Sequence, residues 1–359
     1  MACRLKIIWV RVVNGIVRFW GCIQSIICLP RGRSVTSKKG QTLSQKAVAY
    51  IDIPGFRSYT SPASDDRYPA KIVGAAEMLR DFYGTIDGKT REAENHPSSS
   101  CDRPELAKQN EVGSFDLVLP FSDCCFIVAN DPDWFVVQLA QLLLDVFRLT
   151  SHAYRGNDPT RITRKVFSQS ETGVSVQSEE AYWHALIYRG GISYGDVLDV
   201  KGPDINLPGV GFTTMRNVLG PAVVQAVNLE QSGKGKGPRI TCDGKLYGQL
   251  SSRGQNLLRP LPGTDSYELL WPMLHFTRGR LVKNEVTRFN GLFDPVVSLW
   301  KAQSTDLTVA SQYLEMMKLI ARSTDQFFSQ VGLRSEALEQ MTRCVRGHNL
   351  EMALLEIPV

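Results

Sequence analysis

Two apolar runs that each carry an aspartate at one end constrain this chain more than any other feature. The first is Ala47-Val-Ala-Tyr50-Ile-Asp52-Ile53-Pro-Gly55-Phe56, and the second is Phe115 to Ala129, with Asp123 near its middle after Leu-Pro-Phe-Ser. Both read as strands, because they are short, rich in β-branched and aromatic residues, and bounded by turn residues. A carboxylate at the end of a buried strand is costly unless it is paired, hydrogen-bonded or bound to metal. Asp52 closes a strand before a Gly turn and Asp123 sits at a hairpin tip, so the two predict a shared divalent-metal site. Metal held by carboxylate oxygens, with positions left open, serves phosphate chemistry.

The charge distribution narrows the partners. The formal net charge is +5, but the first 51 residues hold nine Lys or Arg and no Asp or Glu, which leaves about −4 over residues 52–359. The body of the chain therefore gives no electrostatic reason to expect nucleic-acid binding. Eight cysteines show no CxxC and no zinc-ligand spacing with the five histidines. That usage fits a reducing compartment, and the expected location is the cytoplasm. Residues 7–29 are apolar but interrupted by Arg11, Asn14 and Arg18, which suits a spanning helix poorly. Arg4, Arg11 and Arg18 recur every seven residues, so a helix here is amphipathic and suited to peripheral membrane contact. An acid-free organellar presequence and an unneeded leader from an early start site are the other readings of this segment.

Three regions are expected: a basic apolar leader and linker over 1–45, an α+β domain over 46–250, and a partly helical extension over 251–359. Within the domain the pattern predicts a strand at 47–53, a helix at 70–83, an irregular insertion at 84–112 and a hairpin at 115–129. A helix follows at 132–149, capped by Asp131 and apolar nearly all round, so it is buried or lies at a subunit interface. Strand-like residues fill 185–200, a helix starts at Gly220-Pro221, and Arg239-Ile-Thr begins a short strand after a Gly/Lys loop at 233–238. Beyond 265 come further strand-like pieces and helical patterns near 305–322 and 334–347.

The order Tyr50-Ile-Asp52-Ile53-Pro-Gly55-Phe56, Phe121-Ser-Asp123, Arg189-Gly-Gly-Ile-Ser-Tyr-Gly195, Gly220-Pro-Ala-Val-Val224 resembles the class III nucleotidyl cyclase catalytic domain. More narrowly, it resembles the bacterial pyrimidine cyclases of anti-phage defence, over about 200 residues. The resemblance implies an α+β fold with a ferredoxin-like βαββαβ core and a helical C-terminal extension. It implies two divalent metal ions, Mn²⁺ or Mg²⁺, on Asp52, Asp123 and the carbonyl of Ile53. These would lower the pKa of a ribose 3′-hydroxyl and hold the triphosphate. Gly55 and Phe56 are the implied phosphate contacts; Tyr50 is the candidate base contact from its strand face, and Arg189 and Arg239 are the candidate nucleotide-binding cations in place of the arginine usual in the family. The implied substrate is UTP or CTP, the product cUMP in preference to cCMP, and the assembly a homodimer whose cyclic product activates a separate effector in antiviral defence.

The departures from the family pattern are specific. The hairpin strand lacks the Lys that selects purines, Asn217 stands near an expected Asp, and alignment on Gly220 puts Val224 and Asn228 where an Asn and an Arg are usual. Tyr50 shares a strand face with Asp52, and a ring there takes space that a purine would need. Losing the Arg removes a positive charge that usually supports the transition state. A cyclase-like module that binds a nucleotide or partner without turnover is therefore the alternative. A diguanylate-type cyclase is disfavoured, because this sequence has no Gly-Gly-Asp/Glu-Glu-Phe run. Gly191-Ile-Ser193-Tyr-Gly195 matches a nucleophile elbow, yet strand-like residues follow where the elbow needs a helix.

Overall fold

Alternation along the first strand decides the layering. In β1 (Leu43–Asp52) the residues Ala47, Ala49 and Ile51 face one side, and Val48, Tyr50 and Asp52 face the other. β2 (Leu117–Phe121) and β3 (Cys124–Ala129) form the expected hairpin, and β3 lies antiparallel to β1 with Asp52 opposite Cys124. The adjacent Cys124 and Cys125 point to opposite faces, Cys125 into the main core. The computed structural model describes residues 43–54, 79, 83–84, 115–121, 123–151, 161–170, 173–182, 187–207, 211–232, 237–276, 288–304 and 307–356. All of these fall in one unit, Leu43–Val359. Gly55, Phe56, the basic segment before residue 43, nearly all of the 70–83 helix, the insertion after Gly84 and residues 233–236 lie outside the described residues.

α1 (Pro132–Ser151) runs two residues beyond its expected end. The Asp131 carboxylate accepts from the backbone N–H groups of Asp133 at 3.0 Å and Trp134 at 3.1 Å, which supplies the cap. Its apolar circumference is buried by this chain's own elements: Phe135, Leu139, Leu143 and Phe147 are fully enclosed. Of the two expectations for this helix the structure selects burial, because the C-terminal part of the same chain covers it.

β4 (Arg161–Ser170) and β5 (Gly173–Tyr182) pair with each other as a separate ribbon. β6 (Arg189–Leu207) is 19 residues long. Its first half lies antiparallel to β1, and its second half pairs with β7 (Gly211–Leu219) across an irregularity between Lys201 and Asp204. Gly191, Ser193 and Gly195 sit inside this continuous strand with no helix after them, which removes the nucleophile elbow. α2 (Pro221–Gln231) folds back on the sheet, with Ala222 and Ala226 facing Val48, Val128 and Val197.

β8 (Ile240–Asp243) joins β6 in parallel. The short helices α3 (Gly244–Tyr247) and α4 (Ser252–Gln255) then lead to β9 (Leu258–Pro260) and β10 (Ser266–Leu269). The sheet order is β2-β3-β1-β6-β8-β10-β9, with β7 also on β6. The sheet thus continues past residue 250: β10 falls among the strand-like pieces expected beyond 265, while the three residues of β9 leave almost no periodic signal.

A 3₁₀ turn over Trp271–His275 precedes α5 (Phe289–Ala302), α6 (Leu307–Gln330) and α7 (Arg334–Gly347). Phe293, Met316, Phe328 and Met341 from these helices enter the same core as Ile51, Ile127 and Phe147. The protein is therefore an α+β sandwich, with α2 on one sheet face and α1 with the C-terminal helices on the other. Among the described residues no helix is long and apolar enough to cross a membrane.

Candidate functional site

The site forms where β1 ends, and three local rules build it. Antiparallel register puts Asp52 opposite both Cys124 of β3 and Arg189 of β6. The N–H of Ile53 donates to the carbonyl of Asp123 at 3.0 Å, so the hairpin tip is tied to the residue following Asp52. The third rule concerns α2. Gly220 has φ 137°, in the region that favours glycine, and a Cβ there would lie 2.3 Å from the Asp196 carbonyl oxygen. The chain reverses there, and α2 returns along β6 until it rests on Gly191, where a Cβ would lie 2.0 Å from the Ala226 carbonyl oxygen. The last turn of α2 thereby reaches the start of β6 and delivers Glu230.

Arg189 links these elements. Its guanidinium donates to the Asp52 carboxylate at 2.7 Å and forms an ion pair with Glu230. The Glu230 side chain is only 7% exposed and that of Asp52 15%. Burial pushes the Asp52 carboxyl up to about 6, against the pull of Arg189; Asp123 and Glu230 add to the rise. Asp123 is half-buried, and among the described residues no hydrogen bond or ion pair reaches its carboxylate.

Tyr50 stands beside Asp52 on the same face. Its ring packs against Phe126 at 5.0 Å between centroids. Burial first, then a hydrogen bond with the Cys124 thiol, raise its phenol far above the ordinary value. Burial likewise raises the Cys124 thiol. The hydroxyl of Tyr83 donates to the Cys124 carbonyl at 3.4 Å, behind the hairpin tip.

The structure thus places Tyr50, Asp52, Ile53, Asp123 and Arg189 at one end of the β3-β1-β6 layer. Arg239 is engaged elsewhere: it pairs with Glu268 at 2.9 Å and approaches Glu315 at 3.9 Å. Glu268 is 1% exposed and also accepts from Arg322 at 2.8 and 3.0 Å. A buried carboxylate held by two guanidiniums is a structural tie between β10 and α6. Val224 is half-buried on α2, whereas Asn228 is exposed.

Glu230 is the site residue that sequence reasoning passed over. A signal existed. Glu next to a helix C-terminus opposes the helix dipole, so it calls for a nearby cation. Among the described residues, Asp52, Asp123 and Glu230 do not form a group with all ligand atoms within 4.8 Å. The oxygens that sequence reasoning expects to act as donors here, the Asp52 and Asp123 carboxylates and the Ile53 carbonyl, are of the hard kind that Mg²⁺ and Mn²⁺ prefer.

No family model matches the chain, and no curated protein sequence matches it. Solved structures do. The guanylyl cyclase Cya2 is 12% identical, with 64% of this chain and 94% of that one covered and a TM-score of 0.38. A bacterial light-regulated adenylyl cyclase is 10% identical, covering 73% of this chain and 65% of that one, with a TM-score of 0.38. A class III adenylyl cyclase-like ATP-binding protein from Pseudomonas aeruginosa is 11% identical, covering 90% and 76%, with a TM-score of 0.36. At scores of this size, function has to come from the chemistry of the site itself.

Proposed function

We propose that this protein is a metal-dependent nucleotidyl cyclase that converts a pyrimidine nucleoside triphosphate, UTP before CTP, into its 3′,5′-cyclic monophosphate. One observation carries the reading: the Ile53–Asp123 backbone bond, with the β1–β3 register, brings two acidic side chains from distant segments to one strand end. Asp52, Asp123 and the Ile53 carbonyl would hold Mn²⁺ or Mg²⁺, whose Lewis acidity would assist loss of the hydroxyl proton and offset charge on the phosphates. In the reaction the ribose 3′-oxygen bonds to the α-phosphorus, the bond from α-phosphorus to the bridging oxygen breaks, and pyrophosphate leaves.

Arg189 is the cation nearest the proposed phosphate position, and Glu230 restrains it. The Tyr50–Phe126 pair narrows the face beside Asp52, which favours a small base. Gly55 and Phe56 complete the proposed nucleotide contacts. A homodimer in the cytoplasm, with the cyclic product activating a separate effector against viral infection, is the setting that the motif order supports.

A second reading has its own support. Arg189 is already committed to two carboxylates, and Val224 and Asn228 supply no replacement charge, which favours a nucleotide-binding module without turnover. Incubation of the purified protein with Mn²⁺ and each of the four NTPs, with products resolved by chromatography, separates the two. A cyclic pyrimidine product that disappears in Asp123→Ala supports the enzyme. Nucleotide binding without any product rejects it.

A further inference from the structure

The only group of three His, Cys, Asp or Glu side chains among the described residues whose ligand atoms all lie within 4.8 Å of one another is far along the chain from β1. It consists of Asp294 on α5 with Cys344 and His348 at the end of α7. Cys344 and His348 are four residues apart, the spacing that stacks side chains on one helix face. Asp294 meets them from the facing helix. His348 Nε2 lies 2.9 Å from Asp294 Oδ1, and the Cys344 thiol donates to the same oxygen at 3.5 Å.

We propose that Asp294, Cys344 and His348 form a binding site for a borderline-soft divalent ion of the zinc type. The dimensions fit. Bonds of roughly 2.0–2.3 Å at tetrahedral angles place ligand atoms about 3.3–3.7 Å apart. The observed 2.9 and 3.5 Å need adjustments of only tenths of an ångström, within side-chain reach.

The chemistry fits as well. One thiolate, one carboxylate and one neutral imidazole balance a dication, and the thiol proton passes to buffer on binding. A thiolate–imidazole pair selects zinc, cobalt or similar ions over magnesium. Cys344 is 8% exposed while the Asp294 side chain is 48% exposed, so the ion has an inner anchor and an open side for a water ligand. The Phe293 ring, 6.3 Å from the His348 ring, flanks the imidazole. Lys301 donates to the His348 carbonyl at 3.3 Å, a bond to the backbone that leaves the imidazole to the metal. The ion would cross-link α5 to α7 and is independent of the site at Asp52.

The test is a Co²⁺ titration of the full chain after chelator treatment, followed by near-ultraviolet thiolate-to-cobalt absorption. It is run in parallel on an Asp52→Asn/Asp123→Asn background, which removes the proposed catalytic donors. The band should saturate at one equivalent in both proteins and vanish on addition of Zn²⁺. Cys344→Ser should abolish it while circular dichroism is unchanged. His348→Gln and Asp294→Asn should each weaken binding about tenfold or more. No band in the folded wild-type chain, or a band that survives Cys344→Ser, overturns the proposal.

Discussion

Arg189 and Asp52 face each other in register across β6 and β1, and their side chains meet at 2.7 Å although the residues are 137 apart in sequence. Glu230 holds the other side of the same guanidinium. The arginine thus acts as an internal counter-cation for two buried acids, and its removal should be felt first as repulsion. Arg189→Met is expected to lower stability by about 1–3 kcal/mol, a range reduced for the partial exposure of the arginine. Added Mn²⁺ should raise the melting temperature more in this variant than in the wild type. Thermal unfolding with and without Mn²⁺ checks both; equal shifts would separate Arg189 from the metal site.

The Asp52 carboxyl, lifted by burial from 3.8 to about 6, gives a pH signature. Between those values the folded chain holds this proton more often than the unfolded chain. The stability from this group is therefore complete below 3.8 and lost as pH rises through 6. Metal binding runs the other way, because it needs the carboxylate. Mn²⁺ affinity should fall roughly tenfold per pH unit below about 6 and level off above it. Calorimetric titration across that range reads the break, and a flat profile would remove Asp52 from the ligand set.

Asp52→Asn and Asp123→Asn keep side-chain size while removing charge. Each should cut formation of the cyclic nucleotide by about 100-fold or more, with far smaller changes in melting temperature. A variant that retains full turnover would show that its acid has no part in the reaction.

Gly191→Ala places a methyl group against the Ala226 backbone, which cannot move without lifting α2 off the sheet. A loss of about 1–3 kcal/mol is expected in denaturant unfolding. Activity should fall further than stability alone explains, because Glu230 retreats with the helix.

Glu268→Ala removes the carboxylate that two guanidiniums share in a largely buried position between β10 and α6. The expected cost is about 3–5 kcal/mol, the range for a broken buried pair. Denaturant unfolding measures it; a change near zero would mean that water already reaches the triad.

Local patterns made much of this fold legible. The β1 strand, the β2–β3 hairpin, the Asp131-capped α1, α2 after Gly220-Pro221, and α6 and α7 all carry period-two or period-3.6 signals within a few consecutive residues. The patterns predict neither β4, β5 nor α5, and β9 is too short to show a period, whereas β10 falls among the strand-like pieces expected beyond 265.

The sequence by itself determined that Asp52 would close a strand and share a face with Tyr50, and that Asp123 would sit in a hairpin, because side-chain alternation and turn residues are local properties; that the hairpin tip docks beside Asp52 came from the packed register. Only the tertiary structure decided which cation meets Asp52, that Glu230 arrives to share it, and that Arg239 is drawn away to Glu268. Ion pairs between remote residues follow from where packed elements leave buried charge, and no local pattern records that.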